Sequence, residues 1–317
     1  MLYDQLQTNS SDNVPQKSIQ TPKNSSHNKR HSFKALKTAF LHNLQSQGYS
    51  GATVDSYEQD LSLIGKWLKN QNLAILELSD EDLQRYKSWA YTNKQKRPAT
   101  VNRYLATIRR FYRWAQRTGH LHIPPHVPKC LPYIPSCIRW LTVQQQNRLI
   151  RAVKRQQHTR DPAIILILLH TGLRAAELCK LQWKDIHMTE RSGSLCIRQA
   201  KGQRQRTLPL NAKARNAIHQ LGYEANAGKK KHVLRGQRGP LVSRTLQRIV
   251  GKYAKQAGLA NLSPHSLRHT FCKNLIDAHI GLETVARLAG HAHIQTTRRY
   301  CEPSWPDLER AVAVLAK

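Results

Sequence analysis

Four short segments of the sequence contain side chains that can carry out nucleophilic and acid–base chemistry on a phosphate ester. They are HTGLRAAEL (170–178), QAKGQRQRTLPL (199–210), SPHSLRHTF (263–271) and LAGHAHIQTTRRY (288–300). Nucleophilic attack on a phosphodiester gathers negative charge on the non-bridging oxygens. Two guanidinium groups can hold those oxygens with paired hydrogen bonds and stay charged at any working pH. Arg174 and Arg268 are the candidates for that role.

The same chemistry also needs proton donors, proton acceptors and a nucleophile. The leaving oxygen must gain a proton and the attacking hydroxyl must lose one, which are tasks for Lys or His side chains. Lys201, His265 and His291 are the candidates, and Tyr300 supplies a hydroxyl that can form a covalent intermediate. Each segment alone is a common pattern. Together they predict an enzyme that cuts the DNA backbone.

The charge of the chain indicates the same class of partner. The 317 residues include 51 Lys and Arg against 19 Asp and Glu, a formal net charge of +32. Such an excess creates a positive field over much of the surface, and its commonest partner is a polyphosphate. The alternative is a basic protein bound to a membrane surface. That alternative has no basic amphipathic helix and no lipidation signal to support it.

The N-terminal part of the chain predicts a tail followed by a helical domain. Residues 1–32 are rich in Ser, Asn, Gln and Lys, and we predict that they are disordered. Residues 33–122 carry apolar side chains at helical spacing and predict a small DNA-binding domain, with helices that begin at Thr53 and Ser79. Its helix over 100–117 has a basic face, for which we favour phosphate contact over simple solvation. The predicted contacts are Arg103, Arg109, Arg110 and Arg113.

The rest of the chain predicts a linker and a second domain. Residues 123–138 are rich in proline and cannot continue a helix, so they are the predicted linker to a domain at 139–317. Helices dominate this domain, but the alternation over 194–210 predicts a β-hairpin that turns near Lys201. Further DNA contacts are predicted on this hairpin and beside Tyr300, at Arg204, Arg206, Arg298 and Arg299.

The cysteines and the lack of long apolar segments indicate where in the cell the protein acts. The six cysteines form no CxxC pair and are spread over a large chain, which argues against a zinc ribbon or a disulfide framework. The N-terminus lacks the apolar core of a signal peptide, and no run of about 18 apolar residues exists. We therefore expect a cytoplasmic, bacterial-type protein associated with the nucleoid.

The four segments, in this order, resemble the tyrosine recombinase (phage integrase) family. The signature of that family is Arg, Lys, His-x-x-Arg, His and then Tyr, with the usual nine-residue step from the last His to the Tyr, and the likeness covers about 33–317. The matched positions are Arg174, with Glu177 as the supporting acidic residue, Lys201, His265, Arg268, His291 and Tyr300. The departures are small. Ala176 stands where small or hydroxyl residues are usual, and two arginines precede the tyrosine where less basic residues are common.

The resemblance implies a fold and an assembly. The fold is mainly α with a small β-sheet, in which an N-terminal helical core-binding (SAM-like) domain and an α+β catalytic domain form a C-shaped clamp on DNA. After Tyr300, CEPSWP breaks the helix, and the apolar tail at about 303–317 is expected to dock into a neighbouring protomer. The partners would then be a double-stranded recombination site and three further copies, as a homotetramer on two DNA duplexes.

The resemblance also implies a mechanism without a cofactor, metal or ATP. Tyr300 would attack the scissile phosphate, leaving a 3′-phosphotyrosine and a free 5′-hydroxyl that attacks a partner strand through a Holliday junction. The two arginines would stabilise the transition state, and Lys201 would protonate the leaving oxygen. His265 would help to take the tyrosine proton, and His291 would hydrogen-bond the phosphate. Integration, excision and resolution are all compatible uses.

Three rival interpretations remain at this stage. The stretch 282–300 resembles a helix-turn-helix, which would make the protein a DNA-binding regulator without activity. The i,i+4 pair His265 and His269, with His291 and His293, could instead ligate a metal in a hydrolase, although HSLRH lacks the glutamate of HExxH. A type IB topoisomerase-like enzyme would relax supercoils with a related residue set, although the expected docking tail argues against a monomer.

Overall fold

The computed structural model describes two compact units, divided between residues 132 and 133. The described residues are 32–132, 139–155, 158–198, 205–237, 239–291 and 293–300, together with 308–309, 312–313 and 315. Outside them lie residues 1–31 of the predicted tail 1–32, Lys201, Arg204 and most of the predicted docking tail at 303–317.

The first unit is helical. Its helices are α1 (Phe33–Ser46), α2 (Gly51–Gln71), α3 (Asp80–Tyr91) and α4 (Pro98–Arg117), with a 3₁₀ turn at Ile75–Glu77. Ser79 caps α3 in a capping box with Asp82, as its position before an acidic first turn predicts. The helix expected to begin at Thr53 begins earlier, because Ser50 is the residue whose side chain accepts from the Thr53 backbone N–H.

An aromatic core holds this first unit together. Phe40 of α1 lies edge-on to both Phe111 and Trp114 of α4, with ring centroids 5.5 Å apart in each pair. Part of the segment expected to be a linker also packs here. Val127 is buried in this core, and the Asn102 side chain bonds the backbone N–H and C=O of Leu131 at 2.7 and 2.8 Å. Helix α4 ends at Arg117, seven residues before the first proline of that segment, and the described chain from there to residue 132 forms no further helix but stays on the unit.

The second unit combines helices with short strands. Its first helices are α5 (Val143–Lys154), α6 (Arg160–Thr171) and α7 (Ala175–Lys180), followed by a 3₁₀ turn at Trp183–Asp185. Strands β1 (Ile186–Met188), β2 (Gly193–Ile197) and β3 (Arg206–Pro209) come next, then α8 (Ala212–Gln220), α9 (Tyr223–Asn226), β4 (Arg235–Gly236) and β5 (Gly239–Pro240). The last helices described are α10 (Ser243–Gln256), α11 (Pro264–Asp277), α12 (Leu282–Ala289) and α13 (Gln295–Arg298).

A buried helix and a small sheet form the core of this unit. Helix α6, RDPAIILILLHT, is apolar on nearly all sides and is buried along most of its length. Strands β1, β2 and β3 form an antiparallel sheet in that order, and β2 faces β3 through the buried pair Leu195 and Leu208. The structure therefore confirms a mainly helical fold with a small antiparallel sheet, and it adds β1 to the predicted hairpin.

Two absences hold for the described residues. Within those ranges no helix is long and apolar enough to cross a membrane. The same ranges contain no group of three or more His, Cys, Asp or Glu side chains placed to hold a metal ion.

Candidate active site

Arg174 lies at the N-terminus of α7, directly after a left-handed turn. Gly172 ends α6 with φ +61°, and a Cβ there would collide with the ring of Phe271 on α11, so only glycine fits. The Arg174 guanidinium is fixed at two points: Nη1 donates to Glu177 Oε1 at 2.7 Å, and Nη2 donates to the Gly290 carbonyl at 2.6 Å. Its side chain is 42% exposed, so it can still reach a ligand.

Arg268 lies on α11 and is almost completely enclosed, with 1% of the residue exposed. Its Nη1 donates to the Gly172 carbonyl at 2.6 Å and its Nη2 to the Ala289 carbonyl at 2.5 Å. Burial, followed by the positive charge of Arg174, lowers its pKa to about 10, which leaves it protonated at neutral pH. Arg268 therefore links α11 to the turn before α7 and to the end of α12. Its positive charge lies close enough to Arg174 for the two charges to interact.

Two histidines share one face of α11 because they are four residues apart. The rings of His265 and His269 meet edge to face with centroids 4.1 Å apart. Partial desolvation, followed by the charges of Arg268 and Arg174, lowers the pKa of His265. Burial, followed by His265 and Arg268, lowers the pKa of His269 to about 3. Both rings are therefore neutral near pH 7, and His265 is the more exposed of the two.

Tyr300 is buried, with 1% of the residue exposed, in a small cluster with Phe271, Cys272 and Val285. Its hydroxyl shares a hydrogen bond with His269 Nδ1. Burial, followed by the neighbouring Cys272, raises the pKa of Tyr300 above its ordinary value. A proton acceptor is thus needed if this hydroxyl is to attack, and the acceptor in contact with it is an imidazole.

His291 follows the left-handed Gly290 at the end of α12 and faces the same tyrosine. Its ring stacks on that of Tyr300 at 12° with centroids 6.3 Å apart, and its Nδ1 bonds the Thr297 hydroxyl at 2.8 Å. Burial, followed by Arg268 and Arg174, lowers the pKa of His291 to about 4. A neutral imidazole held in this way can donate a hydrogen bond from its other nitrogen.

Glu177 joins two arginines. Besides Arg174, it accepts both terminal nitrogens of Arg206, Nη1 on Oε1 at 3.0 Å and Nη2 on Oε2 at 2.9 Å. Burial alone raises the pKa of Glu177, but the hydrogen bonds from Arg206 and Arg174 outweigh it and lower the pKa to about 2. The Arg206 side chain is only 12% exposed. The Arg206 guanidinium is therefore bound to Glu177, and its contact with DNA stays a prediction.

The other predicted DNA contacts differ in their surroundings. Arg103 is ion-paired with the buried Asp60 at 2.9 Å, and Arg110 bonds the Tyr49 hydroxyl at 2.5 Å. Arg109 donates to the Pro128 carbonyl at 3.3 Å. Arg113 on α4 and the pair Arg298 and Arg299 beside the tyrosine are exposed. Arg204 lies outside the described residues.

The structure thus brings together every candidate that it describes among the catalytic positions: Arg174, Glu177, His265, Arg268, His291 and Tyr300. Lys201 lies outside the described residues, on the chain shortly before Arg206. Sequence reasoning gave His269 no catalytic role and missed its bond to the Tyr300 hydroxyl. The i,i+4 step from His265 was the signal that could have found it, since it places both rings on one helix face.

The helix-turn-helix interpretation does not match this geometry. Among the described residues of 290–300, the helix that follows α12 is the four-residue α13, which is too short to serve as a recognition helix. Thr297 and Tyr300, which would lie on that helix, are both buried.

Comparisons with known proteins place both units in one family. Residues 139–304 match the phage integrase family, and residues 38–119 match the N-terminal SAM-like domain of phage integrases. Tyrosine recombinase XerC of Corynebacterium glutamicum is 30% identical over 272 residues, which cover 81% of this chain and 83% of that protein. The XerC of Xylella fastidiosa strain M23 is 29% identical over 273 residues, covering 83% and 89%.

Solved structures agree on the fold. The XerH site-specific recombinase bound to a palindromic difH substrate, a post-cleavage complex, superposes with a TM-score of 0.72 at 17% identity, over 90% of this chain and 85% of that one. A lambda integrase dimer bound to a COC′ core site gives a TM-score of 0.66 at 18% identity, over 84% of this chain and 94% of that one.

Proposed function

This chain belongs to the phage integrase family of tyrosine recombinases, and on that premise we propose that it cuts and rejoins DNA at a specific site through a 3′-phosphotyrosine at Tyr300. The observation that carries the proposal is the convergence of two guanidiniums on consecutive carbonyls at the end of α12, beside that tyrosine. Arg174 binds the carbonyl of Gly290 and Arg268 that of Ala289. These two neighbouring carbonyls thereby hold two positive guanidinium groups next to the nucleophile, where they can bind a phosphate.

Arg174 is the arginine best placed to touch the scissile phosphate. Its side chain is 42% exposed, whereas Arg268 is buried and donates hydrogen bonds from both terminal nitrogens to backbone carbonyls. A preorganised donor costs no reorganisation when charge develops on the phosphate oxygens. Arg268 stabilises the same charge from behind and holds the turn that aims Arg174. His291, stacked on Tyr300, would donate to a non-bridging oxygen.

His269 is the group that we assign to accept the Tyr300 proton, a role expected of His265 from the sequence. The Tyr300 hydroxyl contacts His269 Nδ1, and the low pKa of His269 keeps its imidazole in the neutral form that can accept. As the tyrosine oxygen bonds to phosphorus, its proton passes to Nδ1, and the bond to the 5′-oxygen breaks. Lys201 would protonate that oxygen, and the reverse steps rejoin a strand.

The partner is a double-stranded DNA recombination site. A net charge of +32, the exposed Arg298 and Arg299 beside the nucleophile and the exposed Arg113 on α4 support this partner. The relatives XerH and lambda integrase were solved on DNA sites of their own. We place the action of this chain at the nucleoid in the cytoplasm, where such a substrate is found.

We further propose assembly into a homotetramer on two duplexes through exchange of the C-terminal tail. Leu308, Val312 and Leu315 are 42%, 66% and 86% exposed, and their spacing in the sequence is typical of one apolar stripe on a helix. Deleting the residues after Trp305 should abolish complexes that hold two duplexes and leave single-site binding intact, as seen by native gel shift. Two-duplex complexes formed by the truncated chain at wild-type levels would contradict tail exchange.

The test of the activity is covalent capture from a random DNA library, which does not require the target site to be known. Nicked duplexes with a randomised core are incubated with the protein, and DNA that stays bound in SDS is recovered and sequenced. A nick beside the cut lets a short fragment diffuse away, so the phosphotyrosine accumulates. We expect one enriched sequence with the wild type and none with Tyr300→Phe. No adduct from the wild type, or an adduct from the variant, would contradict the proposal.

The selected site also separates recombination from supercoil relaxation. A plasmid bearing two copies of the site should yield deleted or inverted products with the wild type. Relaxed plasmid without recombinant products would instead favour the topoisomerase-like alternative.

A further inference from the structure

Arg206 occupies a place that the predicted DNA contact does not explain. It is the first residue of β3, its side chain is 12% exposed, and its nearest charged partner is the carboxylate of Glu177. Both terminal nitrogens bind that carboxylate, one to each oxygen, at 3.0 and 2.9 Å. The arrangement is a two-pronged arginine–carboxylate pair, which fixes the orientation of the carboxylate as well as its charge.

The same carboxylate holds Arg174. Its Oε1 accepts from Arg174 Nη1 at 2.7 Å and its Oε2 accepts from the Arg174 backbone N–H at 2.8 Å. Each Glu177 oxygen is therefore shared between the two arginines. A carboxylate held by Arg206 cannot swing away from α7, so the direction of the Arg174 guanidinium depends on Arg206 although the two arginines lie on different elements.

The sum of the charges leads to the same dependence. Arg174 and Glu177 alone form a pair with no net charge, which would attract a phosphate weakly. With Arg206 added, the trio carries one net positive charge, since two guanidiniums face one carboxylate whose pKa is lowered to about 2. In a partly buried site that unbalanced charge acts through a lower dielectric than water provides.

Arg206 also touches the second anchor of Arg174. A Cβ built on Gly290 would lie 2.6 Å from Nη1, 2.7 Å from Cζ and 2.9 Å from Nε of Arg206. The guanidinium thus packs directly against the Gly290 turn, whose carbonyl accepts from Arg174 Nη2 at 2.6 Å. The Arg206 side chain therefore contacts both groups that fix the Arg174 guanidinium, the Glu177 carboxylate and the Gly290 turn.

We propose that Arg206 is a positioning residue that aims Arg174 at the scissile phosphate, by orienting Glu177 and supporting the Gly290 turn. The proposal rests on the proposed cleavage reaction and adds a residue to it. It replaces the expectation that Arg206 binds DNA directly. Arg206 acts through Arg174, so its loss should matter in proportion to the negative charge that the phosphate carries in the transition state.

The test compares Arg206→Gln and Arg206→Lys with a matched control on the same hairpin. Arg198, next to the end of β2, also pairs with a buried carboxylate, Asp185 at 3.0 Å, but touches neither Glu177 nor the Gly290 turn. Arg198→Gln therefore removes an arginine–carboxylate pair without touching the Arg174 anchors. Each protein is given the captured site in two forms, with an ordinary scissile phosphate and with a methylphosphonate that lacks the negative charge.

We expect Arg206→Gln to form the adduct about 30-fold more slowly on the phosphate and within about 3-fold of the wild type on the methylphosphonate. Arg206→Lys should lie between, because an ammonium keeps the charge but cannot bind both carboxylate oxygens. It also serves the test if the glutamine variant does not fold. Arg198→Gln should match the wild type within about 2-fold on both substrates. DNA affinity and its salt dependence should be unchanged in all four proteins.

Two results would overturn the positioning role. Equal losses on both substrates, in a folded Arg206 variant, would mean that Arg206 only stabilises the unit. A weaker DNA affinity whose salt slope falls by about one would mean a direct phosphate contact. A wild type that forms no adduct would instead overturn the proposed reaction, and with it this role, so the two failures are distinguishable.

Discussion

Gly290→Ala is the substitution that the geometry of this site predicts most sharply. Gly290 has φ +67° and Gly258, after α10, has φ +66°, so both are left-handed turns that follow a helix. A Cβ on Gly258 would meet nothing within 4 Å, whereas a Cβ on Gly290 would meet the Arg206 guanidinium. Gly258→Ala is therefore a control with the same backbone strain and no collision.

The strain common to both variants is small. An L-residue in the left-handed region costs about 1 kcal/mol, so Gly258→Ala should lower the free energy of unfolding by roughly that amount. We expect its rate of adduct formation to stay at the wild-type value, because nothing in the active site moves.

The collision at Gly290 adds a second cost. Ordinary contact begins at 3.4 Å, and the Cβ would lie 2.6 Å from Nη1, so the guanidinium must retreat by 0.8 Å. A long side chain normally moves at little cost, but Arg206 is held by Glu177 at 2.9 and 3.0 Å. A shift of 0.8 Å away from that carboxylate would take both bonds beyond hydrogen-bonding distance. Weakening charge-assisted hydrogen bonds costs about 2 kcal/mol, so Gly290→Ala should lose about 3 kcal/mol in all.

The catalytic loss should be separate and larger than in the control. Displacing a group that orients a catalytic arginine by nearly 1 Å costs on the order of 10- to 100-fold in rate. Urea unfolding measures the stabilities, and single-turnover adduct formation on the captured site measures the rates. In an Arg206→Ala background, Gly290→Ala should cost only the backbone strain, because the colliding group is gone. Equal activities of the Gly290 and Gly258 variants, or equal stability losses in the two backgrounds, would refute this reasoning.

Three further predictions concern other groups. His269→Gln keeps a hydrogen bond to Tyr300 but accepts no proton, so adduct formation should fall about 100-fold at neutral pH; a rate at or above the wild type would mean that His269 only holds the tyrosine. The pKa values of His269 and His291 are lowered on folding to about 3 and about 4, so the unfolded chain binds more protons between those values and about 6.5. Stability should therefore be complete above pH 6.5 and fall towards pH 4, by at most about 3 kcal/mol for each histidine and by less because solvent screens these partly exposed rings, as urea midpoints would show; a flat profile would contradict it. Arg113→Gln should reduce the salt slope of DNA binding by about one. Arg103→Gln should leave that slope unchanged and lower the free energy of unfolding of the first unit by about 1 kcal/mol, because Arg103 is bound to Asp60. The reverse pattern would mean that Arg103 contacts DNA and that Arg113 stabilises the unit.

Much of the site was predictable because its motifs are local. The left-handed Gly172 before Arg174, the i,i+3 step to Glu177 and the step from His265 to Arg268 are set by one turn each. Side chains three or four residues apart share a helix face wherever that helix packs. The order of these segments then identified the family, which the comparisons confirm.

The basic helix α4 shows where a local pattern is incomplete. Its arginines follow from helical periodicity, but their partners do not: Arg103 binds Asp60 on α2, and Arg110 binds Tyr49, 61 positions earlier. An arginine that a helical wheel places on the exposed face is thus already bound when another part of the unit brings an acceptor to it. Of the four predicted contacts on α4, Arg103 and Arg113 are both exposed, but the Arg103 guanidinium is paired with Asp60.

By itself, the sequence determined the family, the helical fold with its hairpin and the candidate residues for the chemistry, since periodicity, motif order and net charge are properties of the chain. Only the tertiary structure decided how those residues are held. It enclosed Arg268 under two carbonyls, put His269 on the hydroxyl of Tyr300 and turned Arg206 from a surface charge into a support for Glu177. The physical reason is that burial and pairing depend on which element arrives from elsewhere in the chain. Glu177 and Arg206 are 29 residues apart, and their contact exists only because β3 packs beside α7.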